Sequence, residues 1–392
     1  MRMVWLLVAS LATVVACADI AFEVKDVEAH QRYPWNGKVD IDFTIDSAVE
    51  GSNFAVRVEA KDTVGQTNIT LTTMRYDDKI ALSSLGKLPA GRHRVTWDAD
   101  TDVPNVLISS LAFTVRAWTI TDEVVPDNGL YMVIDLSSEA KSGMYFPVSY
   151  LTAIPNEGWT DEYKTTKLVL RRISAGKDPL GRYALTKDFY AGIFEVTRRQ
   201  WELVTGQRKT VGGDTIAMGN ISYVDIRGET IGSEWPTSSE VDTTNFIGVL
   251  RTRTGLSRFD LPTEQQWEYA CRAGTTTGFN TGRDDETGYK VAGWCSYYDN
   301  KGPYPVGEKL PNAWGLYDMH GNVSEWCLDW FGSGEISTET DSKGPTSGTS
   351  RVLKGGYSGG LSYEDCFSSA RSQGGVEENN EGFGFRLFMT LP

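Results

Sequence analysis

The chain has 392 residues, of which 40% are hydrophobic and 23% charged, enough for two or three domains of ordinary size. Its 38 basic and 52 acidic residues give a formal net charge of −14, which repels phosphate backbones and anionic lipids, so nucleic acid is not an expected partner. Only three histidines are present, and this scarcity excludes most multi-histidine metal sites.

Residues 1–18 have the pattern of an export signal. Arg2 precedes an uncharged apolar run, and Ala16 and Ala18 fit a small-residue cleavage site. We therefore expect a signal peptide over residues 1–18 and a secreted or periplasmic, bacterial protein. An alternative is a lipoprotein box ending at Cys17, whose acylation would hold the chain on a membrane. A membrane is an expected partner only in that case.

Four cysteines lie beyond this segment, at positions Cys271, Cys295, Cys327 and Cys366. An even number of cysteines in an exported chain predicts one or two disulfides. Four cysteines allow three pairings, and their spacing does not choose among them.

Residues 19–118 contain short stretches in which apolar and polar residues alternate, the pattern of strands with one buried face. The apolar positions are Val39, Ile41, Phe43 and Ile45, then Phe54, Val56 and Val58, then Leu111, Phe113 and Val115. With no helical pattern between them, these stretches predict an antiparallel β-sandwich of immunoglobulin-like size. No catalytic motif occurs here, and residues 119–127 are predicted to be a linker.

From residue 128 onward the pattern changes to isolated strands, short helices and long loops rich in glycine and aromatic residues. Residues 167–173 predict a strand. Thr197 and Gln200 form a capping box, which predicts a helix over residues 198–205.

Two further helices are predicted in this region. Thr263 and Gln266 repeat the capping box and start one of them. The apolar spacing after Phe246 indicates the other, which ends at Gly255. Strands and helices that alternate irregularly in this way indicate an α+β domain.

Five distinctive sequence blocks follow one another after residue 187. They are DFYAGIFEVTRRQWELVTG (188–206), LPTEQQWEYACRAGTTTG (261–278), YPVGEKLPNAWGLYDMHGNVSEW (304–326), RVLKGG (351–356) and GFGFRL (382–387). In this order they resemble the formylglycine-generating enzyme, or sulfatase-modifying factor, family. The resemblance covers residues 128–392 and implies a C-type-lectin-like fold with many irregular loops. The fold class expected for the whole chain is therefore α+β, an immunoglobulin-like β-sandwich followed by this domain.

The resemblance also shows where this chain departs from the family. The best-known members oxidise a sulfatase cysteine to formylglycine with two cysteines that bind copper shortly after the RVxKGG block, and paired thiolates suit Cu(I) because both partners are soft. Counting along the family pattern places Gly360 and Asp365 at these positions. Neither residue supplies a thiolate, so copper is not expected and no catalytic residue is assigned. An active enzyme would need Cys366 and a second cysteine, such as Cys327, as free thiols.

A calcium site of the family is better preserved in the block DMHGNVSE. The ligands that the resemblance implies are the side chains of Asp318 and Glu325 and the carbonyls of Gly321 and Val323. Carboxylates with carbonyl oxygens form the hard shell that calcium prefers. In the alternative interpretation, Asp318 and Glu325 cap turns or pair with Arg386 or Arg371.

Family disulfides make Cys271 with Cys366 the expected pair, which leaves Cys295 with Cys327. We therefore predict an exported pseudoenzyme, stabilised by calcium, that binds a protein or peptide ligand, or a glycan, on the loop-rich face where relatives hold a substrate peptide. Two alternatives stay open. One is an active formylglycine-generating-type oxidase, and the other is a diversified ligand-display protein of the same fold.

Overall fold

The computed structural model describes most of the chain after residue 21. The described ranges are 22–32, 37–48, 53–65, 67–69, 71, 73–76, 78, 80–81, 88–104, 111–120, 129–137, 146–209, 212–295, 302–360 and 362–392. The predicted signal peptide and Cys17 lie outside them. Within these ranges, no helix combines the length and the apolar character needed to cross a membrane. Contacts divide the chain into two compact units, one drawn mainly from the residues up to Val125 and the other from those after it.

The N-terminal unit consists of strands joined into two antiparallel sheets. Its elements are β1 (Phe22–Gln31), β2 (Lys38–Ser47), β3 (Asn53–Asp62), β4 (Asn68–Ile69), β5 (Arg75–Tyr76), β6 (Ile80–Ala81), β7 (Leu88–Pro89), β8 (Gly91–Asp98), α1 (Ala99–Asp102) and β9 (Leu111–Ile120). One sheet has the order β1-β2-β8-β5-β6, and the other has β4-β3-β7 with β9 paired to β3.

One hydrophobic core lies between the two sheets. Ile41 and Phe43 of β2 contribute from the first sheet, and Phe54 of β3 with Val115 of β9 contribute from the second. The alternating patterns therefore predict these strands correctly. A single buried face is wrong for β2, because Asp40 and Asp42 on its other face are also buried, where they pair with Arg32 and Arg94. Strand β9 continues to Ile120, two residues into the predicted linker, and the remainder of that linker lies outside the described residues.

The C-terminal unit combines strands and short helices in a mixed α+β arrangement. Its strands are β10 (Tyr131–Asp135), β11 (Val148–Leu151), β12 (Lys167–Ile173), β13 (Gly176–Lys177), β14 (Ala184–Leu185), β15 (Phe189–Gly192), β16 (Phe259–Asp260), β17 (Gly293–Trp294), β18 (His320–Gly321), β19 (Ser324–Trp330), β20 (Ser350–Lys354), β21 (Arg371–Gly375), β22 (Phe383–Gly384) and β23 (Phe388–Thr390). Its helices are α2 (Glu162–Thr165), α3 (Arg198–Thr205), α4 (Tyr223–Arg227), α5 (Thr230–Ser233), α6 (Phe246–Thr254), α7 (Glu264–Arg272) and α8 (Glu286–Ala292), with a 3₁₀ turn over Tyr363–Cys366.

Two sheets organise this unit. A six-stranded sheet has the order β11-β10-β12-β15-β23-β16, and a four-stranded sheet has the order β21-β20-β19-β22. Antiparallel pairing of β19 with β20 sets Glu325 opposite Lys354. Every residue of α7 and of β19 is buried, so these two elements carry charged side chains into the interior.

The predicted helices begin and end where their caps indicate. In α3 the Thr197 hydroxyl accepts the Gln200 amide, the Gln200 side chain accepts the Thr197 amide, and Gly206 ends the helix at a φ of 74°. Helix α7 starts after the second predicted capping box.

Candidate functional site

The four predicted calcium ligands lie in or beside one buried turn between β18 and β19, with Gly321 at the end of β18 and Glu325 in β19. The backbone of this turn enters the left-handed region at Asp318 (φ 56°), Gly321 (φ 99°) and Asn322 (φ 63°). A side chain at position 321 would collide with the carbonyl oxygen of Trp294, so the turn requires glycine there. Asp318 is 2% exposed and Glu325 is 1% exposed, which makes this a site for charge in the interior.

Glu325 already has strong partners. Its carboxylate accepts hydrogen bonds of 2.7–2.8 Å from Nε and Nη2 of the fully buried Arg386, and Trp267 donates its indole N–H to Oε2 at 2.7 Å. Arg386 also donates to three backbone carbonyls, those of Gly192, Ile193 and Tyr317. The ion pair that the sequence offered as an alternative for Glu325 is therefore present.

A third buried carboxylate, Glu195, lies beside this turn. It accepts hydrogen bonds from Asn322 Nδ2 at 2.6 Å and from the Val323 amide at 3.1 Å. Burial, and then the charges of Asp318 and Glu325, raise the pKa of Glu195 well above its usual value. No sequence motif predicts a role for this residue, although a charged residue inside the apolar stretch GIFEV is a usable signal.

Asp318 is the least satisfied member of the group. Its Oδ2 accepts the Gly307 amide at 2.6 Å, but its buried Oδ1 has no hydrogen-bond partner. Burial raises the pKa of Asp318 to about 6. Three carboxylates therefore face one guanidinium, that of Arg386, and this excess of buried negative charge calls for protons or for a cation.

Calcium fits part of this arrangement. The orphaned Asp318 oxygen is a suitable hard ligand, and carbonyls in a left-handed turn are the other ligand type that calcium uses. Among the described residues, no three His, Cys, Asp or Glu side chains converge on one metal position. An ion here would thus depend on Asp318 and on the carbonyls of Gly321 and Val323, since Arg386 already binds Glu325.

The two positions assigned to the family's copper thiolates lie next to each other. A Cβ atom built on Gly360 would lie 3.6 Å from Asp365 Oδ2. That oxygen accepts the Ser362 amide and caps the 3₁₀ turn, while Asp365 itself is exposed. Two side chains at these positions would be close enough to share a metal, but glycine and aspartate provide no sulfur.

The expected disulfide pairing is wrong. Cys295 is joined to Cys366, with their Cα atoms 6.4 Å apart, and Cys271 and Cys327 are free thiols in the interior. Cys271 lies near the end of α7, and its sulfur is 3.4 Å from Ser368 Oγ. Burial raises the pKa of Cys271 to about 12, so this thiol stays protonated.

Arg371, the other arginine that the sequence offered as a partner for Asp318 or Glu325, also has a carboxylate partner. Arg371 forms a two-pronged ion pair with Glu264 at 2.7–2.8 Å, and not with either predicted calcium ligand. Glu264 lies at the start of α7, and Lys354 is 3.8 Å from it. A chain of buried ion pairs thus ties α7 to the four-stranded sheet.

Comparison with known proteins adds the following similarities. Residues 163–391 match the sulfatase-modifying factor enzyme 1-like domain. The formylglycine-generating enzyme of Mus musculus is 37% identical over 147 residues, which span 32% of this chain and 38% of that protein. The enzyme of Streptomyces coelicolor is 34% identical over 142 residues, 32% of this chain and 45% of the other. The chain thus matches less than half the length of these curated relatives. The solved structure of Treponema denticola variable protein 1 aligns with a TM-score of 0.45 at 25% identity, covering 57% of this chain and 95% of that one.

Proposed function

The chain belongs to the sulfatase-modifying factor, or formylglycine-generating enzyme-like, family, and we propose that it is a binding protein that keeps the family scaffold without the oxidase centre. The adjacency of Gly360 and Asp365 carries this proposal, because the place where relatives need two thiolates holds none. Cys366, the nearest cysteine in sequence, is committed to a disulfide with Cys295. An oxidase that uses Cys366 as a free thiol would first have to break that bond.

The ligand in this proposal is a peptide segment, or a glycan, bound on the loops around the 3₁₀ turn. Tyr363 and Phe367 are only partly buried there, and each lies within 6.2 Å of another aromatic ring. Partly buried aromatic side chains on a rigid loop supply contact area at a small cost in conformational entropy. The neighbouring disulfide and its aromatic cluster hold this loop in place.

Calcium serves as a structural ion in this proposal. Asp318 with the carbonyls of Gly321 and Val323 would hold it, and its positive charge would offset the buried carboxylates that Arg386 alone does not neutralise. The ion would stabilise the turn before β19 and take no part in chemistry.

The proposed function also includes a role for the N-terminal unit and a cellular location for the chain. Two antiparallel sheets around one core support an immunoglobulin-like module that serves as a spacer or a docking unit. The disulfide between Cys295 and Cys366 supports export to an oxidising compartment. Membrane attachment would depend on lipidation of Cys17.

A peptide conversion assay tests the absence of an oxidase directly. The full chain is incubated with Cu(I), oxygen, a thiol reductant and a Cys-x-Pro-x-Arg peptide, and the peptide mass is followed. We expect no conversion by the wild-type protein beyond that in protein-free controls. Saturable conversion of the peptide cysteine to formylglycine would overturn the proposal and return the oxidase interpretation.

A further inference from the structure

A cleft with a volume of about 250 Å³ opens beside the first turn of α7. Its lining includes Glu264, Asp329, Glu335, Ile336, Glu339 and Arg371. This volume has room for several waters or for one small organic molecule. It lies at the opposite end of α7 from Cys271, which contacts Ser368 and the segment that contains the former thiolate positions.

The walls of this cleft are fixed by hydrogen bonds. Gln265 donates to the carbonyls of Ser337 and Glu339 and accepts the Ser342 amide, so α7 holds the loop over residues 337–342 in place. Arg371 bridges Glu264 to the carbonyls of Gly332 and Gly334. A ligand would therefore meet a formed cavity and would pay little to order it.

The charge of this cleft is unbalanced. Arg371 neutralises Glu264, but Asp329 is only 3% exposed and has no ion-pair partner among the described residues. Within the described part of the chain its carboxylate accepts hydrogen bonds from backbone amides, including that of Glu264 at 2.8 Å. Glu335 and Glu339 add two exposed carboxylates at the rim. Burial and the nearby Glu264 raise the pKa of Asp329 to about 7, as expected for a buried carboxyl that forms no ion pair.

We propose that this cleft binds a small organic cation, an ammonium or guanidinium group on a short aliphatic stem. The cationic head lies against Asp329 and the rim carboxylates, and the stem lies on Ile336 and Pro345. A buried carboxylate without an ion-pair partner favours a hydrogen-bonding cation that forms a desolvated ion pair. A metal ion fits less well, because the described acidic side chains do not converge as a ligand set.

This proposal goes beyond the binding role assigned to the loops around the 3₁₀ turn. The same cation chemistry occurs in a free diamine and in the lysine or arginine side chain of a peptide. Only the head and the stem are recognised in the cleft, so both sources fit its walls. Binding of both, or of either one alone, would agree with the proposal.

Calorimetric titration of the full chain at pH 8 and low salt tests this inference. The probes are cadaverine, agmatine and N-acetyl-lysine methylamide, with glutarate as an anionic control. We expect saturable one-to-one binding of at least one cation and none of glutarate. Tighter binding of the lysine derivative would identify a peptide side chain as the source, and tighter binding of a diamine would identify a free amine.

Three variants locate the site. Asp329→Asn should weaken binding at least tenfold, and Glu335→Gln at the rim should weaken it a few-fold. Glu377→Gln makes the same charge change at an exposed position outside the lining, and it should leave binding within twofold of wild type. Circular dichroism confirms that each variant is folded, and the rim variant decides the matter if Asp329→Asn is not. The proposal would be overturned if none of the three cations bound saturably. It would also be overturned if Glu377→Gln weakened binding as much as Asp329→Asn.

Discussion

The charge of a side chain buried in the C-terminal unit is compensated by other side chains, because water does not reach it. Arg386 is fully buried, and it is the only cation that hydrogen-bonds Glu325 among the described residues. Removing one member of a buried pair leaves the other charge without compensation, which costs about 3–5 kcal/mol. An exposed pair contributes about 0–1 kcal/mol. Burial, more than the presence of an ion pair, therefore sets the consequence of a substitution.

Replacement of Arg386 by methionine tests this contrast. Arg386→Met should lower the free energy of unfolding by about 3 kcal/mol or more, because Glu325, Glu195 and Asp318 then share no guanidinium. Lys290→Met removes the same charge from the exposed pair with Glu286 and should cost less than about 1 kcal/mol. Urea unfolding measures both changes. Equal effects of the two variants would show that the buried pair is not a major stabilising interaction.

The Asp329 carboxyl predicts a pH dependence of stability. Its folded-state pKa of about 7 lies above that of an unfolded aspartate, about 3.9. The folded form therefore holds the proton more tightly, and stability falls as the pH rises between these two values. Burial is the largest cause of this raised pKa, and Glu264 raises it further. The backbone amides and Arg371 lower it.

Asp329→Asn should abolish that part of the pH profile. Relative to wild type, the variant should gain on the order of 2 kcal/mol between pH 5 and pH 8, measured by urea unfolding at each pH. Other titrating groups contribute equally to both proteins and cancel in the difference. Parallel stability profiles for the two proteins would contradict a raised pKa at Asp329.

At the scale of elements, local patterns specify strands and helices well and long-range pairings poorly. The capping box at Thr197 and the apolar alternation in β2 act within a few residues, so the sequence predicts both elements. The pairing of Cys295 with Cys366 depends on how residues 71 positions apart meet in the folded chain, and spacing does not encode it. Glu195 contacts the turn before β19 from 123 positions before Asp318, and this contact too depends on the folded chain and not on a local pattern.

A disulfide map checks the observed pairing. Proteolysis without reduction should yield one cross-linked species that contains Cys295 and Cys366. Cys271 and Cys327 should react with iodoacetamide only after denaturation, because both thiols are buried. A cross-link between Cys271 and Cys366 would restore the pairing that the family resemblance implied.

Calcium bound at the turn before β19 should raise the melting temperature of the protein. Addition of EGTA should lower the melting temperature by several degrees, since a bound ion at 100 times its Kd contributes about 2.7 kcal/mol. Asp318→Asn should remove most of this response, because it turns the carboxylate that carries the orphaned Oδ1 into a neutral amide. Asp365→Asn makes the same charge change at an exposed position and should keep the response. Identical melting of wild type with and without EGTA would refute the calcium assignment.

At the scale of the whole molecule, the family domain is present, and the proposal is that its copper-binding thiolate pair is not. Five sequence blocks in family order predict the C-terminal domain, and the family match over residues 163–391 confirms it. Gly360 accepts a built Cβ atom with ordinary contacts of 3.4–3.8 Å, so a β-carbon fits there without displacing its neighbours. In the proposed assignment, cysteines at positions 360 and 365 would supply the two thiolates that Cu(I) prefers.

A Cu(I) titration under reducing conditions, against a competing chelator, therefore tests the central claim most directly. It compares the wild-type chain with the double variant Gly360→Cys, Asp365→Cys. We predict that the wild type withdraws no copper from the chelator and that the double variant withdraws one equivalent, because only the variant offers two adjacent thiolates. Withdrawal of one tight equivalent by the wild type would contradict the account, since it would mean that this chain holds copper without the pair.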